Sequence, residues 1–284
     1  MSAISERSRV FVPTGLGELL QILKAHPDAT IYAGGTHILS SRNTPYVELP
    51  EKVISLHQVE ELTRVTRTVK HVEFGAGVTL GRIIALGAKA LPPALFEAIR
   101  TLGPPGIEHL ATVGGNICVS GRLMTLIPIL YLLEGRVELR SAAGSRWVRV
   151  GRVHDDDGRL VLEPGEVMTR LRITPGSWNR QAFKSFGTIY LPQTNPLVFC
   201  GLAQLDNGVL SDFRFAITTH RPRMIRNRAL EAELVGRKVP LSKRDYEAIE
   251  TGIAGVMEEQ AIPRGSIQGR RAIRLTEWFA QQLR

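Results

Sequence analysis

The sequence of 284 residues predicts an α+β protein with a larger N-terminal part, residues 1–175, and a smaller C-terminal α+β unit, residues 176–284. Three observations predict it. Strand-like and helix-like patterns mix without strict β–α alternation as far as "GEVMTRLRI" (165–173), and Pro175–Gly176 then breaks the pattern. Beyond the break a run of strands gives way to a run of helices, the order expected of an antiparallel sheet covered by helices. With 43% hydrophobic residues the chain can build more than one core, and at 6% aromatic those cores must rest on Val, Ile, Leu and Ala.

In chain order, "SRVFVP" reads as a short edge strand closed by proline. "TGLGELLQILKAH" (14–26) reads as an amphipathic helix with Leu16, Leu19, Leu20 and Leu23 on one face. "ATIYAGG" (29–35) is a strand running into a glycine turn, and "KVISL" (52–56) is a second strand. Alternation through Leu62–Thr68 and Val69–Phe74 predicts a hairpin. Helices are expected over 79–90 and 92–103, the second with proline in its first turn and glycine at its end. "LMTLIPILYLL" (123–133) is too short to span a bilayer and contains Pro128, so it reads as a buried helix. "RVELRS" (136–141) and "SRWVRV" (145–150) form another hairpin. After the break, "QAFKSFG", "PLVFCGLAQLD" and "VLSDFRFAIT" read as an antiparallel set, the last two joined through Asn207–Gly208. "PRMIRNRALEAELV", "SKRDYEAIETGIAGVMEEQ" and "GRRAIRLTEWFAQQL" read as helices.

Lys and Arg exceed Asp and Glu by 36 to 27, a net charge of +9. The arginine-dense stretches at 136–152 and 219–228 carry no interleaved aromatic platform, so they read as a solvated basic face and nucleic acid is not the expected partner. Cys118 and Cys200 have no CxxC spacing, which excludes an iron–sulfur cluster here and suits two reduced thiols. No residue set has metal-ligand spacing. The N-terminus lacks an apolar signal region, and the expectation is a soluble cytoplasmic protein with no membrane contact.

Two glycine pairs stand out: "IYAGGTHIL" (31–39) and "ATVGGNIC" (111–118), each behind apolar residues and each trimmed with small polar side chains. Such pairs permit positive φ, so successive N–H groups can face one concavity, and they remove Cβ atoms where a ligand approaches the main chain. Thr36, Thr112 and Asn116 add side-chain donors at the rim. Neither stretch is a P-loop or a GxGxxG fingerprint, and no helix of the required pattern follows directly. The residues leave two readings open: two tight turns, or a two-loop clamp on an extended phosphate-bearing ligand.

The order of these pieces resembles the FAD-binding medium subunit of the molybdenum hydroxylases, the xanthine dehydrogenase and carbon monoxide dehydrogenase family. "YAGGTHIL" resembles that family's first flavin loop, "VEFGAGVTLGRI" its GA-x-VTL segment and "LATVGGNI" its second flavin loop. "PGEVMTRLRIT" resembles a strand near the end of the flavin domain, and "FK" at 183–184 a phenylalanine–lysine pair. The resemblance implies a two-subdomain FAD-binding domain of the PCMH type, about 1–58 and 59–175, followed by the smaller C-terminal domain. It implies an electron-transfer subunit working with a molybdopterin-binding large subunit and a [2Fe-2S] small subunit, with NAD, a quinone or oxygen as acceptor. It implies that Ala33, Gly34, Gly35, Thr36, His37 and Ile38 form one side of the FAD site. Thr112, Gly114, Gly115 and Asn116 form the other, with Gly34, Gly35, Gly114 and Gly115 as backbone donors. Met168 would cover the flavin and Lys184 would place positive charge near its ring.

The match has departures. His37 stands where the family often has an acid, Glu108 where a base is common, and Thr125 where an aspartate usually bonds the cofactor. The arginine that tends to follow the phenylalanine–lysine pair is missing. Three alternatives therefore stay open: a flavin-free scaffold, a basic nucleic-acid-binding descendant of the fold, and a free-standing flavoenzyme such as the reductase that makes UDP-N-acetylmuramate.

Overall fold

A computed structural model describes residues 8–40, 49–87, 91–188 and 191–283. Three sheets organise them. The first is small and parallel: β1 (Arg9–Phe11), β3 (Lys52–Ser55) and β2 (Thr30–Tyr32), in that spatial order. Helix α1 (Leu16–Ala25) packs Leu19 and Leu23 against Ile54, Leu56 and Val59, the face its leucine spacing marks out. After β2 the chain turns through Gly34–Gly35 into a short helix, α2 (Thr36–Ser40).

The second sheet has five antiparallel strands in the order β4 (Val65–Arg67), β5 (Val72–Gly75), β8 (Val167–Ile173), β6 (Arg136–Ser141), β7 (Gly144–Arg149). Both expected hairpins are present. Between β5 and β6 lie α3 (Leu80–Ala85), α4 (Pro93–Arg100), α5 (Pro105–Leu110), α6 (Val113–Ile117) and α7 (Ile127–Leu132). Alternation puts Val72, Phe74, Val137, Leu139, Leu171 and Ile173 beneath these helices, in a core that also takes Ile99, Ile117 and Leu130. The helix expected over 79–90 stops earlier: Thr79 caps it, accepting from Arg82 N–H, and Gly87 leaves it at φ +82. Its last three expected residues lie outside the described ones. The "ATVGG" entry, expected as a strand, is helical from Val113 because the Thr112 hydroxyl accepts from Gly115 N–H and caps a turn.

The third sheet runs β11 (Val209–Thr219), β10 (Leu197–Asp206), β9 (Arg180–Phe186), all antiparallel. Helices α8 (Arg228–Leu234), α9 (Lys243–Glu259) and α10 (Ile267–Gln281) cover one face, where Phe199, Phe213, Phe215 and Phe279 are buried. The opposite face is not exposed: Val198, Cys200, Leu202 and Ala216 join the core of the second sheet. Arg214 ties the two together, donating to Leu132 O (3.1 Å) and pairing with Glu134 (2.9 Å) while lying over the Trp178 ring. The arginines of 219–228 are engaged too. Arg226 pairs with Glu231, Arg223 with Asp156, Arg221 donates to Gln260 O, and Arg228 reaches the Tyr131 hydroxyl. Among the described residues no helix is long and apolar enough to cross a membrane, and both cysteines are free thiols.

Candidate functional site

The first and second sheets meet along a cleft, and both glycine pairs stand on it. On one side, β2 delivers the chain to Ala33 and Gly34. A Cβ on Gly34 would overlap the carbonyl oxygen of Leu110, so this glycine lets the loop press against the end of α5. Gly35 has φ +70, a conformation that favours glycine, and sits over the Tyr32 hydroxyl. Its carbonyl accepts from Leu39 N–H and starts α2. Among the described residues, the N–H groups of Gly34, Gly35 and Thr36 meet no protein acceptor. All three residues line the cleft, and the hydrogen-bonding capacity of these donors is unused.

The other side is built differently. Helix α6 is pinned to the end of β5: Gly114 N–H donates to Ala76 O (2.9 Å) and Val113 N–H to Val78 O (3.0 Å). Gly115 N–H donates to Thr112 Oγ1 (3.0 Å) and Asn116 N–H to Thr112 O (2.9 Å). This corrects the expectation that Gly114 and Gly115 supply ligand-binding N–H groups, since both are spent inside the protein. Gly114 is a glycine because a Cβ would sit 2.7 Å from Ala76. What this wall offers is side chains. Thr112 accepts from Gly115 and keeps its own hydroxyl proton to give, and Asn116, 8% exposed, has a buried Oδ1 with no partner among the described residues. An orphaned polar atom of that kind costs stability unless a ligand group meets it.

Between the walls lies a cavity of about 490 Å³. Ala33, Gly34, Gly35, Thr36, His37, Ile38, Thr112, Gly114, Gly115, Asn116 and Met168 all line it, so eleven of the thirteen residues singled out from sequence come together. Thr125 and Lys184 do not. Thr125 is buried in the segment before α7, and its neighbour Met124 takes the place on the wall. Lys184 is exposed on β9, with its ammonium 5.2 Å from the centre of the Trp278 ring on α10. Strand pairing in the third sheet turns it that way, away from the cleft.

The cavity floor is apolar, made by Met168 and Val167 of β8 together with Ile31, Leu56, Leu160 and Leu162. Cys118 Sγ lies 3.8 Å from Met168 Sδ, and burial pushes its thiol up to about 12, so no thiolate forms at neutral pH. Burial first, then the charge of Arg122, lowers His37 below the ordinary histidine range, leaving a neutral imidazole on the wall. Glu166, which sequence reasoning did not single out, also lines the cavity. Arg146 grips both its oxygens at 2.7 Å and holds its carboxyl below the usual carboxylate range. It lies in the "PGEVMTRLRIT" stretch, from which the resemblance implies only Met168 as a site residue, so the signal that could have found it was local. Among the described residues no cluster could hold a metal ion.

The arrangement has one rim of main-chain donors, one rim of neutral side-chain groups and an apolar floor. That combination suits a ligand with an anionic middle and flat apolar ends. The model of a family described as "FAD binding domain in molybdopterin dehydrogenase" matches residues 5–175. A xanthine dehydrogenase FAD-binding subunit of Escherichia coli O157:H7 is 25% identical over 269 residues, covering 92% of this chain and 88% of that one. A nicotinate dehydrogenase FAD-subunit of Eubacterium barkeri is 29% identical over 180 residues, 61% of this chain and 60% of that one. Among solved structures, a chain of quinoline 2-oxidoreductase from Pseudomonas putida 86 superposes with a TM-score of 0.77. That match covers 98% of this chain and 95% of the other at 22% identity, a likeness of fold.

Proposed function

Given that this chain belongs to the FAD-binding family of the molybdopterin dehydrogenases, we propose that the cavity between its glycine pairs holds the diphosphate of FAD. The chain is a FAD-binding, oxidoreductase-type subunit of the molybdenum hydroxylase family. Three N–H groups without a protein acceptor (Gly34, Gly35 and Thr36), on residues that line the same cavity as Thr112 and Asn116, carry the assignment. The N–H groups would take the negative oxygens. Thr112 would donate its hydroxyl from the far rim, and Asn116, which lines the same wall, would reach the ligand with its amide. Ala33, His37, Ile38 and Met168 would exclude water, and neutral His37 would add no charge. Gly115 would leave room for the ligand without donating to it. Thr125 and Lys184 have no part in this grip. Residues 1–175 would act as the flavin unit in two subdomains, about 1–58 and 59–175, and residues 176–284 as its C-terminal companion.

When bound, FAD supplies the exchange between one- and two-electron carriers. The chain would receive electrons from a [2Fe-2S] small subunit, fed in turn by a molybdopterin-binding large subunit, and release them to NAD, a quinone or oxygen. Two reduced thiols suit a cytoplasmic setting.

The test is the absorption spectrum of the purified protein before and after FAD addition and desalting. Flavin bands near ~375 and ~450 nm retained through desalting are expected. A colourless protein that refuses FAD overturns the assignment. Reduction of the flavin-loaded protein, followed by mixing with NAD⁺, a quinone or oxygen, identifies the acceptor as the one that restores the longer-wavelength band. Failure of all three overturns the electron-transfer reading.

A further inference from the structure

One face of the five-stranded sheet sets arginine against arginine. Arg136 on β6 lies directly opposite Arg172 on β8 and directly opposite Arg149 on β7. Like charges in that relation oppose sheet formation. Arg172 is neutralised, donating to Glu73 at 2.7 Å, and Arg170 beside it pairs with Glu73 and Glu138. Arg136 and Arg149 have no such partner among the described residues.

Past the Arg136 end of this face the surface opens into a groove of about 1320 Å³. One wall is the tip of the β4–β5 hairpin, which brings exposed Arg67 and Lys70, neither in an ion pair among the described residues. Pro92, Pro93, Pro175 and Trp178 also line the groove. The one carboxylate on the lining, Glu134, is turned to Arg214 at 2.9 Å. Three cations without an ion pair among the described residues thus line a groove that holds no free counter-charge. No residue lines both this groove and the glycine-pair cavity, so the groove is a separate place on the molecule.

The lining argues against a small ligand. Such sites are enclosed and apolar with a few fixed polar groups, whereas here exposed cationic side chains line an open trough. It also argues against single-stranded nucleic acid, which needs a run of aromatic faces. The groove has one indole, and Arg214 lies over its ring at 4.8 Å. An extended polypeptide bearing carboxylates fits what remains: unpaired cations and rigid, apolar prolines lining one trough.

We propose that this groove docks an acidic, extended segment of a partner polypeptide, with Arg67, Lys70 and Arg136 pairing with its carboxylates. The proposal is independent of whether flavin fills the other cavity.

The experiment is fluorescence anisotropy of a labelled oligo-glutamate peptide with the full chain. The triple variant R67E/K70E/R136E is expected to weaken binding by more than about tenfold, and the alanine triple by an intermediate amount. A control of equal charge change at exposed positions away from the groove, K24E/K243E/R274E, is expected to stay within about threefold of the unaltered protein. Added salt is expected to weaken binding to the unaltered protein. All six positions are exposed, and unchanged circular-dichroism melts verify the fold. Equal loss in both glutamate triples reduces the effect to overall charge and overturns the proposal. So does an unaffected groove variant. So does tighter, groove-dependent binding of an oligothymidylate strand or of ADP, which would make the trough a nucleic-acid or nucleotide site.

Discussion

Replacing Asn116 by alanine is expected to move two properties in opposite directions. In the ligand-free protein, Asn116 Oδ1 is buried without a partner. Such a group costs about 1–3 kcal/mol relative to one that is satisfied or absent. Alanine removes it and is also the better helix former at a position inside α6, by up to about 0.7 kcal/mol. The shortened side chain faces a cavity that already exists, so little new void is made. The flavin-free variant should therefore melt higher, by roughly 2–15 °C at the usual conversion for a chain near this size. With FAD the sign reverses. The hydrogen bond that Asn116 makes in the proposed complex is lost, and at about 1–3 kcal/mol the dissociation constant rises roughly 5- to 150-fold. Thermal melts of flavin-free protein and a flavin fluorescence titration read the two quantities. A lower melting temperature without flavin, together with unchanged FAD affinity, would mean that Asn116 serves the fold alone and would refute the reasoning.

Three further outcomes are expected. Gly34→Ala puts a methyl group into the Leu110 carbonyl and should destabilise the fold by several kcal/mol, about the cost of overpacking a rigid contact; denaturant titration measures it, and an unchanged midpoint would remove the close approach from the argument. At Gly115 a Cβ would meet only Thr112 Oγ1, a side-chain atom at 2.9 Å, so Gly115→Val should fold yet fail to retain flavin on desalting; full flavin content in a folded variant would exclude Gly115 from the site. Glu166 is held below the ordinary carboxylate range by Arg146, so the pair stabilises the folded protein at neutral pH and that contribution disappears as pH falls through the lowered value. Melting temperature should accordingly fall more steeply on acidification than in Glu166→Gln, whose profile should be flatter; parallel profiles would show that the pair contributes nothing.

Much of the fold is legible because it is written locally. Alternation gives β4–β5 and β6–β7. Asn207–Gly208, both at positive φ, closes the β10–β11 hairpin with Asp206 opposite Val209. The leucine face of α1 emerges as expected. Helix α6 does not, since two glycines in five residues argue against a helix and only its anchorage to Ala76 and Val78 holds it in that form. The location of the site was readable from the glycine pairs, but the direction of their N–H groups was not. All four glycines answer to the protein itself: Gly34 to Leu110, Gly35 to Tyr32, Gly114 to Ala76 and Gly115 to Thr112. Resemblance placed Thr125 and Lys184 by their positions in a motif, whereas the partners that occupy them, among them the Trp278 ring, come from distant chain. The groove beside the β4–β5 hairpin was invisible for the same reason, because Arg67 and Arg136 come to one groove only through the sheet.

The third sheet is a party wall. Phe199 and Val198, adjacent in β10, belong to different cores, so whatever loosens one side of the strand is felt on the other. The chain should therefore melt in a single calorimetric transition despite having what reads as a linker at Pro175–Gly176. A fragment ending there would leave α4 and α7 without the surface they rest on. The stretch that carries the flavin signature is thus not a detachable module. Inherited variation in the C-terminal third, far from any cofactor contact, can alter how much of the protein is competent to hold one.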